Sequence, residues 1–392
     1  MNPFLARPQT FELYTAPGCL EEAELEVKEI LSTPWKPLKF RPLVEPQNGF
    51  IRLRHASWDT GCEIAARAST LHDIRLHLVA AKVKGWFDVA RILERQLWAG
   101  LLPENENVDF RARAYGNLAH AGRLEQIAAE LFIQNGFKHS DQEPFTQIRL
   151  TSSGEYLRVS VSLGNDTLHK RGWRKATSTL APLREDLASA ALRRLLEFAP
   201  QARAVQQVLV PFAGSGTLGI EAWHSLFGLP PAIWGNPRPW QRLTMPKPAT
   251  QDWWTRRIQS AVDAVRLPPL VLIENDPEQF LELEQNMAAF ENVTTIFADA
   301  FSYELPANQK TLLPLHPPYG MRLETEPISL YRNLGKRVAA WALESDVCGF
   351  CLCPTEETWR AFRAGLAGFL TKTSHLTQGG LDVRWCGFQT EV

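Results

Sequence analysis

Apolar and polar residues alternate with period two over residues 9–15 (QTFELYT), which predicts a strand. Residues 18–31 change to helical spacing and are rich in Glu, predicting an amphipathic helix. Pro34, Pro37, Pro42 and Pro46 then predict a loop before a strand in GFIRLRH at 49–55. Helix-period segments follow near 58–70 and 86–98, with strand-like IRLHLVAAKV between them. FRARAY, ending at Tyr115, alternates as a strand, and residues 123–135 read as a helix stopped by Gly136. Runs at 147–151 and 156–163 alternate again and flank the turn SSGE. Strands and helices are mixed in this part without a strict rhythm, which predicts an α+β arrangement.

From about residue 183 the rhythm becomes strand, helix, strand, helix. VLVPF (208–212), LVLIE (270–274), TTIFA (294–298), TLLPL (311–315) and VCGFCLC (347–353) are the apolar runs. Helical segments lie between them, from Leu218, through Phe290, around 328–343 and near 356–366. This alternation predicts an α/β domain with a doubly wound, mainly parallel sheet. Residues 228–250 interrupt it with six prolines and two tryptophans, a rigid surface insertion.

Composition changes little in this picture but removes some alternatives. The 392 residues suffice for two or three domains, and 45% hydrophobic with 22% charged residues suits a folded globular chain. No apolar run approaches the roughly 20 residues of a membrane span, and Met1–Thr10 holds no apolar leader segment. Six cysteines in this length do not form a disulfide framework, so a reducing, cytoplasmic setting is expected. The net charge of −1 conceals an asymmetry. Residues 151–250 hold 12 Lys and Arg against six Asp and Glu, whereas 251–300 hold three against nine. A basic middle segment is compatible with a polyanion footprint and equally with chance clustering on a solvated surface.

The candidate chemistry sits where strands end. Pro211, Phe212, Ala213, Gly214, Ser215, Gly216 and Thr217 join a strand to a helix whose leading amides and dipole favour an anionic group. No Lys follows the second glycine, which argues against a P-loop. Glu274 ends the next strand, where a carboxylate can accept from ribose hydroxyls; Asn275 follows it, and Asp276 reads as a helix N-cap. Asp299, followed by Ala300, ends the third strand and could accept from an adenine amine. His316, Pro317, Pro318, Tyr319 and Gly320 follow the fourth. Prolines there leave carbonyl oxygens unpaired, and Tyr319 can lie beneath a planar base whose amino group a carbonyl captures. The structural alternative is a proline-stiffened loop with a core tyrosine.

Lys170, Arg171, Arg174 and Lys175 form the densest basic cluster, around Trp173, and are candidates for RNA contact or a charged interdomain linker. Arg111, Arg113 and Arg123 are weaker candidates of the same kind. Trp234, Trp240, Trp253 and Trp254 could shape a target channel. Cys348, Cys351 and Cys353 fall on alternating sides of a buried strand and read as core residues, so no metal is expected.

Taken together, these segments resemble the THUMP-domain RNA methyltransferases of the Rossmann-like class I type, which methylate guanine N2 in large-subunit rRNA or in tRNA. The resemblance covers nearly the whole chain. It rests on Ala16-Pro17-Gly18-Cys19-Leu20-Glu21, on residues 110–131, on LHKRGWRKATSTLAPLRED at 168–186, on PFAGSGTLGIEA at 211–222 and on HPPYGMRL at 316–323. It implies a ferredoxin-like part at 1–55, a THUMP RNA-binding part at 56–165 and a methyltransferase domain at 166–392. It further implies S-adenosylmethionine held by Gly214 to Thr217, Glu274 and Asp299, with Pro182 to Glu185, Arg184 among them, beside the same pocket. RNA is the implied partner, rRNA first and tRNA second. Three positions depart from the family pattern: His316 stands for Asn or Asp, Val210 for Asp and Ala213 for Cys. Two other functions stay open, an RNA-binding or ribosome-assembly protein that has lost catalysis and a methyltransferase acting on protein glutamine or a small amine.

Overall fold

The structure is a computed structural model and describes residues 7–94, 100–102, 106–115, 120–142, 145–165, 167–175, 182–234, 248–319 and 327–390. In the first strand Phe11 and Leu13 are completely buried, while Thr10 and Tyr14 are only partly buried. The elements of this part are β1 (Gln9–Thr15), α1 (Leu20–Ser32), β2 (Leu43–Gln47), β3 (Phe50–Ala56), α2 (Trp58–Arg67) and β4 (Leu71–Lys82). They continue as α3 (Trp86–Glu94), β5 (Asn107–Tyr115), α4 (Ala121–Gln134), β6 (Lys138–His139), β7 (Thr146–Ser153) and β8 (Tyr156–Ser162). The strands form one sheet in the order β2-β3-β1-β4-β8-β7-β5-β6. Phe110, Ile148, Leu150, Val159, Val161 and Leu76 are buried, and Leu124, Ile127, Ala128 and Phe132 of α4 are buried with them.

Two elements depart from the sequence expectation. The proline-punctuated loop contains β2, which pairs with β3 through Pro46 opposite Ile51. A strand containing proline is tolerated there because β2 is an edge of the sheet. Nor does the expected division at residue 55 part the chain, since β1, β3, β4 and β8 belong to the same sheet.

The second group comprises α5 (Glu185–Phe198), β9 (Gln207–Val210), α6 (Thr217–Phe227), α7 (Pro248–Ala264), β10 (Leu270–Glu274) and α8 (Pro277–Met287). It continues as β11 (Val293–Phe297), β12 (Lys310–Leu315), α9 (Pro327–Trp341), β13 (Asp346–Cys353), α10 (Glu356–Gly365), β14 (Phe369–Gln378) and β15 (Leu381–Thr390). The sheet order is β11-β10-β9-β12-β13-β15-β14. The first five strands are parallel, and β15 and β14 close the edge antiparallel. This is a doubly wound, Rossmann-like sheet, as the strand–helix alternation predicts. The β14–β15 hairpin was not signalled by hydrophobic period, because β14 is polar and only partly buried.

The chain clusters into two compact units. One contains Met1–Thr15, Glu24–Lys170 and Gly235–Ser260; the other contains Ala16–Ala23, Arg171–Trp234 and Ala261–Val392. The first 13 positions of α7 therefore belong with the eight-stranded sheet, although they follow β9 in sequence. There Trp254 is fully buried, with Trp35 and Trp253 at ring distances of 6.1 and 4.9 Å. A buried Trp254 cannot line a target channel, which corrects that expectation. Trp253 is half-buried beneath the Lys36 ammonium at 4.1 Å, and Trp240 lies outside the described residues.

Candidate active site

β9 is buried along its length, and the chain turns sharply after it. The Ala213 amide donates to the Ile273 carbonyl at 2.9 Å, so the loop begins by extending the pairing toward β10. Gly214 and Gly216 then adopt φ of +51° and +90°, the region that penalises side chains. Their surroundings differ. A Cβ on Gly216 would meet Met287 Cε at 2.7 Å and Leu283 Cδ1 at 3.1 Å, so this glycine lets the loop lie on α8. A Cβ on Gly214 would meet only Gln279 Oε1, at 3.7 Å, and the loop is open on that side. Gly216 is also the N-cap of α6, and no side chain caps this helix start.

Glu274 ends β10 and organises the turn from below. Its Oε2 accepts from the Gly214 amide at 2.9 Å, while Oε1 accepts from the Asn275 and Asp276 amides, each at 3.0 Å. Asp276 caps α8 by accepting from Glu278 and Gln279, as its position before Pro277 predicts. Asp299 accepts from the Phe301 amide at 3.0 Å and caps the short turn at Ala300. Asn275 and Asp299 are exposed, and Ala300 is buried. Phe212 packs edge-on against Phe301 at 6.4 Å, linking the glycine loop to the turn that carries Asp299.

His316, Pro317, Pro318 and Tyr319 leave the end of β12, next to β9 in the sheet. The His316 and Tyr319 rings meet edge to face at 5.2 Å, and the Tyr319 hydroxyl donates to Gln378 Oε1 at 2.5 Å. Part of His316 still meets solvent, yet the atoms crowded around its ring desolvate it and pull its pKa down to about 4. A neutral imidazole results, with one ring nitrogen able to accept a hydrogen bond. Burial also raises the Tyr319 phenol well above its ordinary value, so it stays protonated. Pro317 is buried and Pro318 exposed, whereas Gly320 and residues 321–323 lie outside the described residues.

The basic cluster near 170–175 is not one exposed surface. Lys170 and Lys175 are exposed, but Arg171 is 2% exposed, and Trp173 is buried. The Arg171 guanidinium donates to both oxygens of Glu221, at 3.3 and 3.2 Å, and Ser189 adds a donor at 2.5 Å. This corrects the reading of Arg171 as a nucleic-acid contact: its charge is spent inside the protein. Arg174 turns toward the glycine loop, donating to Thr217 Oγ1 at 2.6 Å and the Leu183 carbonyl at 3.1 Å. It also pairs with Glu185 at 3.3 Å. The Lys175 amide donates to Asn286 Oδ1, and Asn286 Nδ2 donates to the Ser215 carbonyl. Arg174 directly, and Lys175 through Asn286, thus brace the loop. Pro182 is half-buried nearby in sequence, and exposed Arg184 chelates buried Asp186 at 3.0 and 2.6 Å.

Glu221 was not singled out from the sequence, whereas Glu185 ends the 182–185 stretch expected beside the cofactor pocket. The signal for Glu221 was a carboxylate inside the mostly apolar helix TLGIEAWHSLF, since a buried carboxylate calls for a partner. Burial pushes Glu185 up to about 7 despite the pull of Arg174. Arg111 and Arg123 lie apart, on β5 and on α4. Trp234 donates from Nε1 to His224 Nε2 at 2.9 Å, an internal tie. All six cysteines are free and buried. Among the described residues no group of three or more His, Cys, Asp or Glu could hold a metal. A cleft of about 450 Å³ lies at the opposite ends of β12 and β13, lined by Lys310, Asp346 and Thr390, away from these loops.

Because β11, β10, β9 and β12 are consecutive neighbours, Asp299, Glu274, the glycine loop and the His316–Tyr319 turn share one edge of the sheet. Open parallel sheets bind ligands at this edge. No profile of a known protein family matches the chain. The chain is 28% identical over 245 residues to a ribosomal RNA large subunit methyltransferase K/L of Marinomonas sp. (strain MWYL1), covering 56% of this chain and 32% of that protein. It is 28% identical over 254 residues to the protein of the same name from Vibrio campbellii (strain ATCC BAA-1116), covering 60% and 33%. The chain thus spans about a third of the length of these curated relatives. Among solved structures, SMU.472, provisionally named a methyltransferase and complexed with SAH, superposes with a TM-score of 0.77 at 17% identity. The match covers 98% of this chain and 99% of that one. At that identity the likeness establishes a shared fold.

Proposed function

We propose that the chain is an S-adenosylmethionine-dependent RNA methyltransferase of THUMP-domain type, acting on guanine N2, with rRNA as the first substrate and tRNA the second. The observation that carries this reading is the convergence of the Gly214 loop, Glu274 and the His316–Tyr319 turn on neighbouring strand ends. The relatives named as rRNA methyltransferases support the substrate class.

The residues present fit the cofactor. The open side of Gly214 leaves room beside the loop, and the uncapped start of α6 suits a carboxylate. A carboxylate offers about four acceptor positions, and Glu274 keeps one at Oε2 for a ribose hydroxyl. Pro211 to Thr217, Glu274, Asn275, Asp299, Ala300, Pro182 and Arg184 would hold the group, which supplies an electrophilic methyl on sulfur. Neutral His316 and the Pro317 carbonyl would accept from the guanine amine, directing its lone pair, while Tyr319 supports the base. Orientation of that kind supplies most of the acceleration.

Incubation with radiolabelled cofactor and total RNA tests this reading. Labelled guanine N2 is expected with wild type and is lost in Tyr319→Ala; RNA left unlabelled by a cofactor-binding protein refutes it. One observation favours a second reading, an RNA-binding or ribosome-assembly protein without transfer. Three of the acceptor positions of Glu274 are already filled by its own chain. Tight RNA binding with no heat of cofactor binding would select it.

A further inference from the structure

One side chain of the β14–β15 hairpin reaches the His316–Tyr319 turn. Gln378 pairs with Leu381 at the closed end of the hairpin, and Gly379 and Gly380 between them have φ of +57° and +87°. Positive φ at both central residues is what a two-residue turn needs to match the twist of its strands. So tight a turn fixes where Gln378 stands at the end of β14.

Side chains two apart on a strand share a face, and so do opposed residues of an antiparallel pair. Leu376 and Gln378 therefore share a face with Val383 and Leu381. Leu376 and Val383 are buried in the apolar cluster that also holds Phe350 and Trp385, and Tyr319 packs against that same cluster. Gln378 is half-buried at the end of this row and needs a polar partner there. The Tyr319 hydroxyl is that partner, donating to Oε1 at 2.5 Å across 59 positions of sequence. Burial keeps the phenol protonated and therefore a donor. Among the described residues no second hydrogen bond holds either side chain.

The Tyr319 ring is thus fixed at two places. It meets the His316 ring at 5.2 Å with the planes 85° apart, and its para oxygen is tied to the hairpin. Packing alone would leave the far end of the ring free to swing, and the tie removes that swing. We infer that Gln378 is a positioning residue for methyl transfer, setting the plane of the Tyr319 ring that supports the target base. This inference rests on the function proposed above and adds to it a residue that no motif announces. The amine must meet the methyl carbon in line with its sulfur, so a tilted ring slows transfer and leaves cofactor binding alone.

The tie is read directly by carbon NMR of the full chain labelled at tyrosine Cζ. The chain has six tyrosines, and Tyr319→Phe identifies the resonance of Tyr319 by its loss. That resonance is expected to move in Gln378→Ala and to hold its place in Gln378→Glu, which keeps an acceptor oxygen at the same reach. Single-turnover methyl transfer to total RNA and calorimetric affinity for S-adenosylhomocysteine are measured on the same preparations, with circular dichroism to confirm folding. Gln378→Ala is expected to slow transfer by about tenfold with cofactor affinity unchanged, and Gln378→Glu to restore most of the rate. Tyr319→Phe removes the same hydrogen bond, so the double variant with Gln378→Ala should be no slower than either single one. A resonance that does not move overturns the inference, as do losses that add in the double variant. Cofactor affinity that falls with the rate overturns it equally. A wild type that transfers no methyl group to RNA refutes the proposed function and this inference with it. An active wild type whose Gln378→Ala variant is equally fast refutes this inference alone.

Discussion

The carboxylate of Glu274 and the amide of Gly214 are 2.9 Å apart, joining the end of one strand to the turn that follows its neighbour. Glu274→Ala removes the acceptor for three amides at once. A loss of about 1–3 kcal/mol is expected from the unsatisfied donors, read by urea denaturation. Cofactor affinity, followed by calorimetry, should fall further in this variant than stability alone explains. Unchanged affinity would separate Glu274 from the ligand.

The two glycines of the loop should respond differently to alanine. In Gly216→Ala the new methyl meets Met287 and Leu283 as well as a positive φ, so a stability loss of about 2–4 kcal/mol is expected. Gly214→Ala meets only the Gln279 side chain at ordinary contact distance and should cost only about 1–2 kcal/mol for its backbone angle. Its effect should appear in cofactor binding. Thermal denaturation and calorimetry on both variants distinguish these outcomes.

Arg171→Ala leaves the Glu221 carboxylate buried without its cation. A destabilisation of about 3–5 kcal/mol is expected. Replacing both residues, by Arg171→Met and Glu221→Leu, should recover much of it. RNA affinity of the folded double variant should match wild type; a specific loss would return Arg171 to the RNA contacts.

Two desolvated groups bias stability with pH in opposite directions. Glu185 titrates near 7 against an ordinary 4.5, so the folded state retains its proton longer than the unfolded one. Its contribution is complete below pH 4.5 and fades as pH rises through about 7, by roughly 3 kcal/mol. His316 titrates near 4 against 6.5, so the unfolded state binds its proton first, and stability rises between pH 4 and 6.5. The slopes oppose each other between about pH 4.5 and 6.5. Glu185→Gln should remove the falling contribution and leave a steeper rise over that interval, measured by urea titration at each pH. An unchanged difference between variant and wild type across pH would refute the assignment.

Legibility followed the range of each interaction. The strands β9, β10 and β12 could be read from apolar runs alone, and the turns after them from glycine and proline chemistry. β2 was hidden because Pro46 argues against a strand in any interior position, and its edge placement depends on β3. β14 was hidden because its partner β15 supplies the order that its own polar sequence does not announce. Arg171 illustrates the same limit at the site. Local charge density is visible in a sequence, but depth is not, and the Glu221 that neutralises Arg171 lies fifty positions away.

The interleaving of the two units has a consequence for biosynthesis. The eight-stranded unit receives its last piece, residues 235–260, only after Arg171–Trp234 of the other unit has been translated. At ribosomal speeds of about 5–20 residues per second, the span from Lys170 to Ser260 takes roughly 5–20 seconds. During that interval the place of Trp254 beside Trp35 has no occupant. A nascent chain stalled in this window would be the form most exposed to chaperones and proteases.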